Sequence, residues 1–92
     1  MNIEELKQRA ASGDAEAQYK LGECYYNGDD IKQDDEAAVL WFKESAGQGY
    51  TPAYKALGDC YMFGYGVEQD YEEAVKWWHL AAEQGLVEAQ YN

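Results

Sequence analysis

The feature that most constrains the fold of this chain is an internal repeat of 36 residues. Residues 15–50 and 51–86 align without a gap and share 15 identities, each between positions 36 apart. Self-similarity at a fixed period of roughly 20–50 residues is typical of tandem-repeat proteins, whose units bury their apolar faces against one another. In the first unit the identical positions are Ala17, Leu21, Gly22, Cys24, Tyr25, Gly28, Gln33, Asp34, Glu36, Ala38, Val39, Trp41, Ala46, Gln48 and Gly49.

The repeat also predicts the domain organisation, because its pattern continues beyond both complete units. Lys7, Ala10 and Gly13 match positions 43, 46 and 49, and the tetrapeptide Glu-Ala-Gln-Tyr that begins at Glu16 recurs at residues 88–91. We therefore predict a single repeat domain over residues 1–92. Its parts are an N-terminal capping helix (1–14), repeat 1 (15–50), repeat 2 (51–86) and the start of a truncated third repeat (87–92).

Within each repeat the apolar residues follow helical spacing. Ala17, Leu21, Cys24 and Tyr25 fall at i, i+4, i+7 and i+8, and the same spacing recurs 36 residues later, so each set forms one buried stripe. A second stripe comprises Ala38, Trp41, Phe42, Ser45 and Ala46, and then Ala74, Trp77, Trp78, Ala81 and Ala82. Two stripes per repeat predict an all-α fold of helix pairs, with helices over 2–12, 15–27, 35–47, 51–63 and 71–84.

Residues that start and stop helices flank these stripes. Asp34 and Asp70 occupy N-cap positions before the second helix of each repeat, and Glu73 is placed to complete a capping box with Asp70. Gly49 follows the second helix of repeat 1, and Pro52 suits the first turn of the next helix. The same signals in both repeats favour one helical hairpin built twice.

Two glycines lie inside predicted helices, where glycine costs about 1 kcal/mol relative to alanine. Gly22 and Gly58 each follow the leucine of the first stripe. We interpret them as points where the second helix of the repeat approaches closely. The alanine that opens the second stripe would face each glycine, and Trp41 or Trp77 would supply bulk beside the contact.

These spaced residues resemble the Sel-1-like repeat family. The resemblance rests on Ala17-x-x-x-Leu21-Gly22-x-x-Tyr25-x-x-Gly28, Asp34-x-x-x-Ala38-x-x-Trp41 and Ala46-x-x-Gly49, and repeat 2 matches more fully. It implies a right-handed α-α superhelix, or solenoid, similar to tetratricopeptide repeats, whose concave face is lined by the first helix of each repeat. Members act as adaptors and scaffolds, so the resemblance implies a class of function and no specific partner.

Repeat 1 departs from the family pattern at two positions. Asp30 stands where a second loop glycine is expected, and Ser45 stands where alanine is usual. Some secreted relatives join the two helices of one repeat by a pair of cysteines, and this sequence lacks that pairing. Its two cysteines, Cys24 and Cys60, lie one repeat apart, about 10 Å, whereas a disulfide needs Cα atoms within about 7 Å. We expect two small apolar thiols in a reducing compartment.

Charge narrows the choice of partner. Eighteen acidic residues against seven basic ones give a formal net charge of -11, which argues against nucleic acid and membrane surfaces as partners. The acidity either serves solubility alone or steers a basic segment of a partner protein to the surface, and the sequence does not separate the two. The acidic start of the chain lacks the pattern of a signal peptide, so we expect a cytoplasmic protein. One histidine and two separated cysteines predict no metal site, and no cofactor motif is present.

Catalysis is not expected, because no nucleophile motif or Ser/His/Asp set is present and the carboxylates fall at caps and exposed helical positions. Secreted relatives of the family have been considered as hydrolases of cell-wall-like substrates, and the same absence argues against that activity in this chain. We instead predict a non-enzymatic protein-binding module whose contact residues lie on the first helices. They are Tyr19, Lys20, Glu23, Tyr26, Asn27, Lys55, Asp59, Met62, Phe63 and Tyr91.

Two alternatives remain open at this point. Tyr26, Met62 and Phe63 would, under the first, only pack between neighbouring repeats. Under the second, the chain is a structural piece of a longer solenoid that self-associates through an uncapped end at residues 71–92. That alternative predicts exposure of Leu80 and of part of Trp77 or Trp78.

Overall fold

A computed structural model describes residues 2–84, and every regular element in that range is an α-helix. The helices are α1 (Ile3–Ala11), α2 (Ala15–Asn27), α3 (Asp35–Gly47), α4 (Thr51–Phe63) and α5 (Tyr71–Glu83). The five helices predicted from apolar spacing are therefore confirmed, with each end within one residue of the prediction. The third repeat predicted at 87–92 lies outside the described residues.

The helices pack in chain order as a row of hairpins. Helix α2 packs on α3 and α4 packs on α5, while α1 covers α2 and α3 meets α4 at the junction between the repeats. One core joins α1 to α2 through Leu6, Ala10, Ala17 and Leu21. A larger core joins α3 to α4 and comprises Ala38, Val39, Phe42, Ala46, Ala53, Leu57 and Cys60.

Aspartate caps begin the second helix of each repeat, as predicted. The Asp34 side chain accepts the Ala37 N–H at 3.1 Å, and the Asp70 side chain accepts the Glu73 N–H at 3.1 Å. The predicted capping box at Glu73 is wrong, because its carboxylate pairs instead with Lys76 Nζ at 3.0 Å. The Asp70 N–H that Glu73 would have accepted already donates to a backbone carbonyl of α4 at 2.8 Å.

The loop inside each repeat has the same backbone path despite its different sequence. Gly28 and Gly64 end α2 and α4 in the left-handed region, with φ of 76° and 73°. Two residues later Asp30 has φ 59° and Gly66 has φ 74°. Aspartate tolerates this conformation better than most residues, so the departure at Asp30 leaves the loop intact.

Gly66 nevertheless has a requirement that Asp30 lacks. A Cβ atom at Gly66 would overlap the backbone carbonyl of Asp35, which lies at the start of α3. The loop of repeat 2 therefore rests directly on the main chain of repeat 1, and only glycine fits there.

The glycines inside α2 and α4 mark close helix contacts, but the rings that meet them are not the predicted ones. A Cβ at Gly22 would lie 2.6 Å from Phe42 Cε1, and a Cβ at Gly58 would overlap the indole of Trp78. Trp41 packs against the core between α1 and α2, and Trp77 packs against the core between α3 and α4. Phe42 and Trp78, each one position after the predicted tryptophan, are therefore the rings that contact the first helix of their own repeat.

The buried stripes also need correction at individual residues. Cys24, Tyr25 and Tyr61 are half-buried rather than buried, because they lie at the edge of the helix contacts. Val39 was missed from the second stripe and is buried, since α4 of the next repeat covers it. Ser45, the other departure from the family pattern, is fully buried and donates its hydroxyl to the Ala15 carbonyl at 2.8 Å.

Candidate functional site

A groove runs between α2 and α4, the first helices of the two repeats. Its lining residues, which we call the inner groove, are Tyr19, Glu23, Tyr26, Asn27, Phe42, Pro52, Lys55, Ala56, Asp59 and Cys60. Six residues proposed from the sequence lie in it: Tyr19, Glu23, Tyr26, Asn27, Lys55 and Asp59. The groove therefore draws side chains from both repeats, and neither repeat forms it alone.

Four other predicted contact residues lie elsewhere. Lys20 lines a separate depression beside α1 and pairs with Glu16 at 3.7 Å. Met62 and Phe63 sit at the C-terminal end of α4, where Phe63 is 59% exposed. Tyr91 lies outside the described residues.

One carboxylate from each repeat lies in the inner groove, at equivalent positions, and each is held by its neighbours. In repeat 1, the Tyr19 hydroxyl donates to Glu23 Oε2 at 3.0 Å. In repeat 2, the Trp78 indole N–H donates to Asp59 Oδ1 at 3.2 Å, and Lys55 Nζ lies 3.8 Å from Asp59 Oδ2. Both carboxylates are thus oriented by hydrogen bonds from neighbouring aromatic side chains.

The Tyr19 ring forms the wall of the groove near the start of α2. Its centroid lies 5.7 Å from that of Phe42 and 5.4 Å from that of Tyr50. Burial, with the nearby charge and hydrogen bond of Glu23, raises the pKa of Tyr19 to about 12. The phenol is therefore protonated at neutral pH and remains a hydrogen-bond donor to Glu23.

The thiol of Cys60, which lines the inner groove, is a poor nucleophile. Cys60 is 2% exposed, and burial raises its pKa to about 12. A thiol of that pKa is almost wholly protonated at neutral pH, and the thiolate is the nucleophilic form. Cys60 therefore acts as an apolar part of the groove floor. Cys24 and Cys60 are both free.

An aromatic ridge closes the other end of the groove. The Tyr65 ring lies 5.6 Å from Tyr26 and 5.6 Å from Phe63, and these three residues form the ridge. They are 37%, 37% and 59% exposed in the order Tyr26, Tyr65 and Phe63, so they contact each other across the repeat junction and still face solvent. Sequence reasoning missed Tyr65, although its place between Gly64 and Gly66 marks an aromatic ring held out by a tight loop.

Residues 2–84 contain neither a cluster of metal ligands nor a helix that could span a membrane. Within residues 2–84 no three His, Cys, Asp or Glu side chains come together as a metal ion would require. His79 is exposed on α5, 3.6 Å from Glu83, and is not among the lining residues of the inner groove. None of the helices in this range combines the length and the apolar character needed to cross a membrane.

Comparison with known proteins identifies the repeat. The family model described as the Sel1 repeat matches residues 15–50 and 51–86. The chain belongs to the Sel1 repeat family. Proteins of this family generally mediate protein–protein interaction, and they are generally non-enzymatic scaffolds. Half of the chain is also similar to the secretory immunoglobulin A-binding protein EsiB of Escherichia coli O6:H1, with 50% identity over 45 residues, 49% of this chain and 9% of that protein.

Solved structures share the same helical repeat. A protective antigen present in uropathogenic Escherichia coli strains, with an SLR fold, has a TM-score of 0.91 and 50% identity over 98% of this chain and 19% of its own. A Sel1 repeat protein from Oxalobacter formigenes has a TM-score of 0.86 and 36% identity, covering 87% of this chain and 61% of that one. Cysteine rich protein B of Helicobacter pylori has a TM-score of 0.83 and 25% identity, covering 92% and 67%. The chain thus spans less than a fifth of the first of these structures.

Proposed function

We propose that this chain is a non-enzymatic protein-binding module, an adaptor or scaffold, and that the inner groove takes a peptide or helical segment of the partner. The observation that carries the proposal is the pair of oriented carboxylates, Glu23 and Asp59, set between aromatic walls at a junction of two repeats. Protein interfaces favour aromatic anchors bordered by polar groups, and Tyr19 with the aromatic ridge supplies such anchors at both ends.

The charges of the groove favour a basic segment in the partner. Among the lining residues of the inner groove, Lys55 is the one cation against the two carboxylates of Glu23 and Asp59, and the whole chain carries a formal charge of -11. Such a field accelerates association with cationic segments and repels phosphate backbones. The name of the relative EsiB, which binds secretory immunoglobulin A, supports a protein rather than a small molecule as the class of ligand.

The test is a selection of peptides from a random displayed library on the wild-type chain, followed by affinity measurement on variants. Replacing both groove acids, Glu23→Gln with Asp59→Asn, should weaken the selected peptides about fivefold to thirtyfold, since each partly exposed ion pair contributes up to about 1 kcal/mol. The matched control replaces two exposed acids of α3, Glu36→Gln with Glu44→Gln, and changes the net charge equally.

Two results would contradict this proposal. Equal weakening by the groove pair and the α3 pair would mean that the peptides respond to net charge and not to the groove. Selected peptides that lack Lys and Arg and tolerate the groove variants would remove both the basic partner and the site.

A second candidate function is assembly through the exposed face of α5. Val75 is 58% exposed, whereas its equivalent Val39 is 3% exposed beneath α4, and Tyr71 beside it is 61% exposed. The predicted exposure of Leu80 is present at 38%, and Trp77 and Trp78 are half-buried. We propose that the first helix of a repeat from another copy of the chain would cover this face, in the way that α4 covers α3.

Sedimentation over a range of concentrations tests this assembly. Association should appear in the wild type and disappear in Val75→Glu, because a charge in the covered face would be desolvated. The matched variant Leu40→Glu, on the exposed side of α3, should leave the association unchanged. A wild-type chain that stays monomeric at high concentration would dismiss the assembly and leave the groove as the functional surface.

A further inference from the structure

The Asp59 carboxylate in the inner groove accepts a hydrogen bond from a residue that lies outside the groove. The Trp78 indole N–H donates to Asp59 Oδ1 at 3.2 Å from α5, the second helix of the same repeat. Trp78 is not among the lining residues of the groove. It reaches Asp59 because Gly58 has no side chain, so that the indole lies directly on the α4 backbone.

The equivalent contact in repeat 1 separates packing from hydrogen bonding. Phe42 lies on Gly22 as Trp78 lies on Gly58, and a phenylalanine ring has no N–H to donate. Glu23, the equivalent of Asp59, is instead held by Tyr19 from its own helix. A plain aromatic ring is therefore sufficient for the helix contact, and the indole N–H of Trp78 adds an orientation of Asp59.

The remaining neighbour of Asp59 would not fix it alone. Lys55 Nζ is 3.8 Å away, and the two side chains are 72% exposed for Lys55 and 40% exposed for Asp59. Exposed pairs of this kind contribute little and leave both side chains free to move. The N–H of a half-buried indole is a more rigid constraint, since the ring is held by its packing on α4.

We infer that Trp78 is a positioning residue for partner recognition, which fixes the Asp59 carboxylate so that a cationic side chain of the bound segment meets it in one geometry. This inference rests on the proposed function of the inner groove. It assigns charge discrimination in the repeat-2 half of the groove to Asp59 and its indole donor, while Glu23 and Tyr19 serve the repeat-1 half.

The chain contains a matched control for removal of the indole N–H. Trp77 is next to Trp78 on α5, and its Nε1 is buried without a hydrogen-bond partner among the described residues. Trp77→Phe and Trp78→Phe therefore remove the same atoms from the same helix, but only the second removes a hydrogen bond to the groove. Phe42 shows that phenylalanine fits at the Trp78 position, and equal melting temperatures would verify that both variants fold.

The first arm of the test needs no ligand. In a ¹⁵N-labelled chain, Asp59→Ala should shift the indole N–H resonance of Trp78 and leave that of Trp77 in place. An unshifted Trp78 indole would overturn the inference while leaving the groove itself intact as a binding site.

The second arm uses the tightest selected peptide and an analogue whose Lys and Arg are replaced by norleucine and citrulline. Trp78→Phe should reduce the preference of the chain for the cationic peptide by about threefold to fivefold, as the loss of a partly exposed charge interaction predicts. Trp77→Phe should keep the wild-type preference.

Three outcomes would overturn the inference. The first is an unchanged preference in Trp78→Phe, and the second is an equal loss in both variants, which would indicate a packing effect. The third is a Trp78 indole that responds to Asp59 while the peptide ignores the Glu23→Gln and Asp59→Asn changes. That result would remove the groove as the site, and with it the role of Trp78 in recognition.

Discussion

Repeat 1 and repeat 2 are two versions of one hairpin, and they differ most where each meets its neighbour. Val39 and Val75 are identical and equivalent, yet α4 covers the first to 3% exposure and the second is 58% exposed. Asp30 and Gly66 share a left-handed backbone, yet only Gly66 lies against the main chain of another repeat. In a solenoid, burial and tolerance at a position depend on the adjoining unit as much as on the residue itself.

Exchanging the two loop residues should give the largest difference between the repeats. Gly66→Asp should reduce the free energy of unfolding by about 3 kcal/mol, because a Cβ there adds both an unfavourable φ and an overlap with the Asp35 carbonyl. The reverse exchange, Asp30→Gly, should change it by less than about 1 kcal/mol. Urea denaturation measures both, and equal effects would contradict the contact between the repeat-2 loop and α3.

The two valines should give the next largest difference. Val39→Ala should cost about 2 kcal/mol, since it removes two methyl groups from the core between α3 and α4. Val75→Ala should stay within about 0.5 kcal/mol, as expected of an exposed position. Thermal denaturation of the two variants measures both losses of stability. A loss of stability in Val75→Ala as large as that in Val39→Ala would mean that the face of α5 is covered in solution.

How much of this difference the sequence predicts depends on the kind of contact. The helices, the aspartate caps and the groove residues Tyr19, Glu23 and Asp59 follow from the period of the repeat and the helical spacing. The burial of Val39 does not, because it depends on a helix that begins in the next repeat.

Two details of the site were also beyond pattern reasoning. The contact of Gly58 with Trp78, and not with Trp77, depends on the rotation of α5 about its axis, which a 3.6-residue period fixes only to within one position. Tyr65 joined the aromatic ridge through the loop conformation, which places its ring between Tyr26 and Phe63. Such positions depend on three-dimensional packing and not on sequence spacing.

The smallest expected difference between the repeats concerns pH. Lys55 replaces Tyr19 in repeat 2, so only repeat 1 has a phenol bonded to its groove carboxylate. The pKa of Tyr19 is raised from 10.0 to about 12, and a raised pKa in the folded state adds stability below pH 10 that is lost as the pH rises towards 12.

Tyr19→Phe should therefore make the free energy of unfolding fall less steeply between pH 10 and pH 12 than in the wild type. Glu23→Gln should lower the pKa of Tyr19, since it removes the carboxylate that accepts from the phenol. An NMR titration that follows the ring-carbon shift of Tyr19 against pH measures this pKa in both proteins. A Tyr19 that titrates near pH 10 in the wild type would contradict the hydrogen-bonded, part-buried phenol at the groove wall.

The central claim is that a partner protein binds in the inner groove, at the junction of the two repeats. Its most direct test is to map the amide NMR shifts of the chain that a selected peptide changes. A peptide in the inner groove should shift amides of α2 and α4 around Tyr19, Glu23 and Asp59, and the largest changes should fall on both repeats at once. Shifts confined to one repeat, or centred on Leu40 of α3 or Val75 of α5, would show that the binding surface is elsewhere and contradict the account.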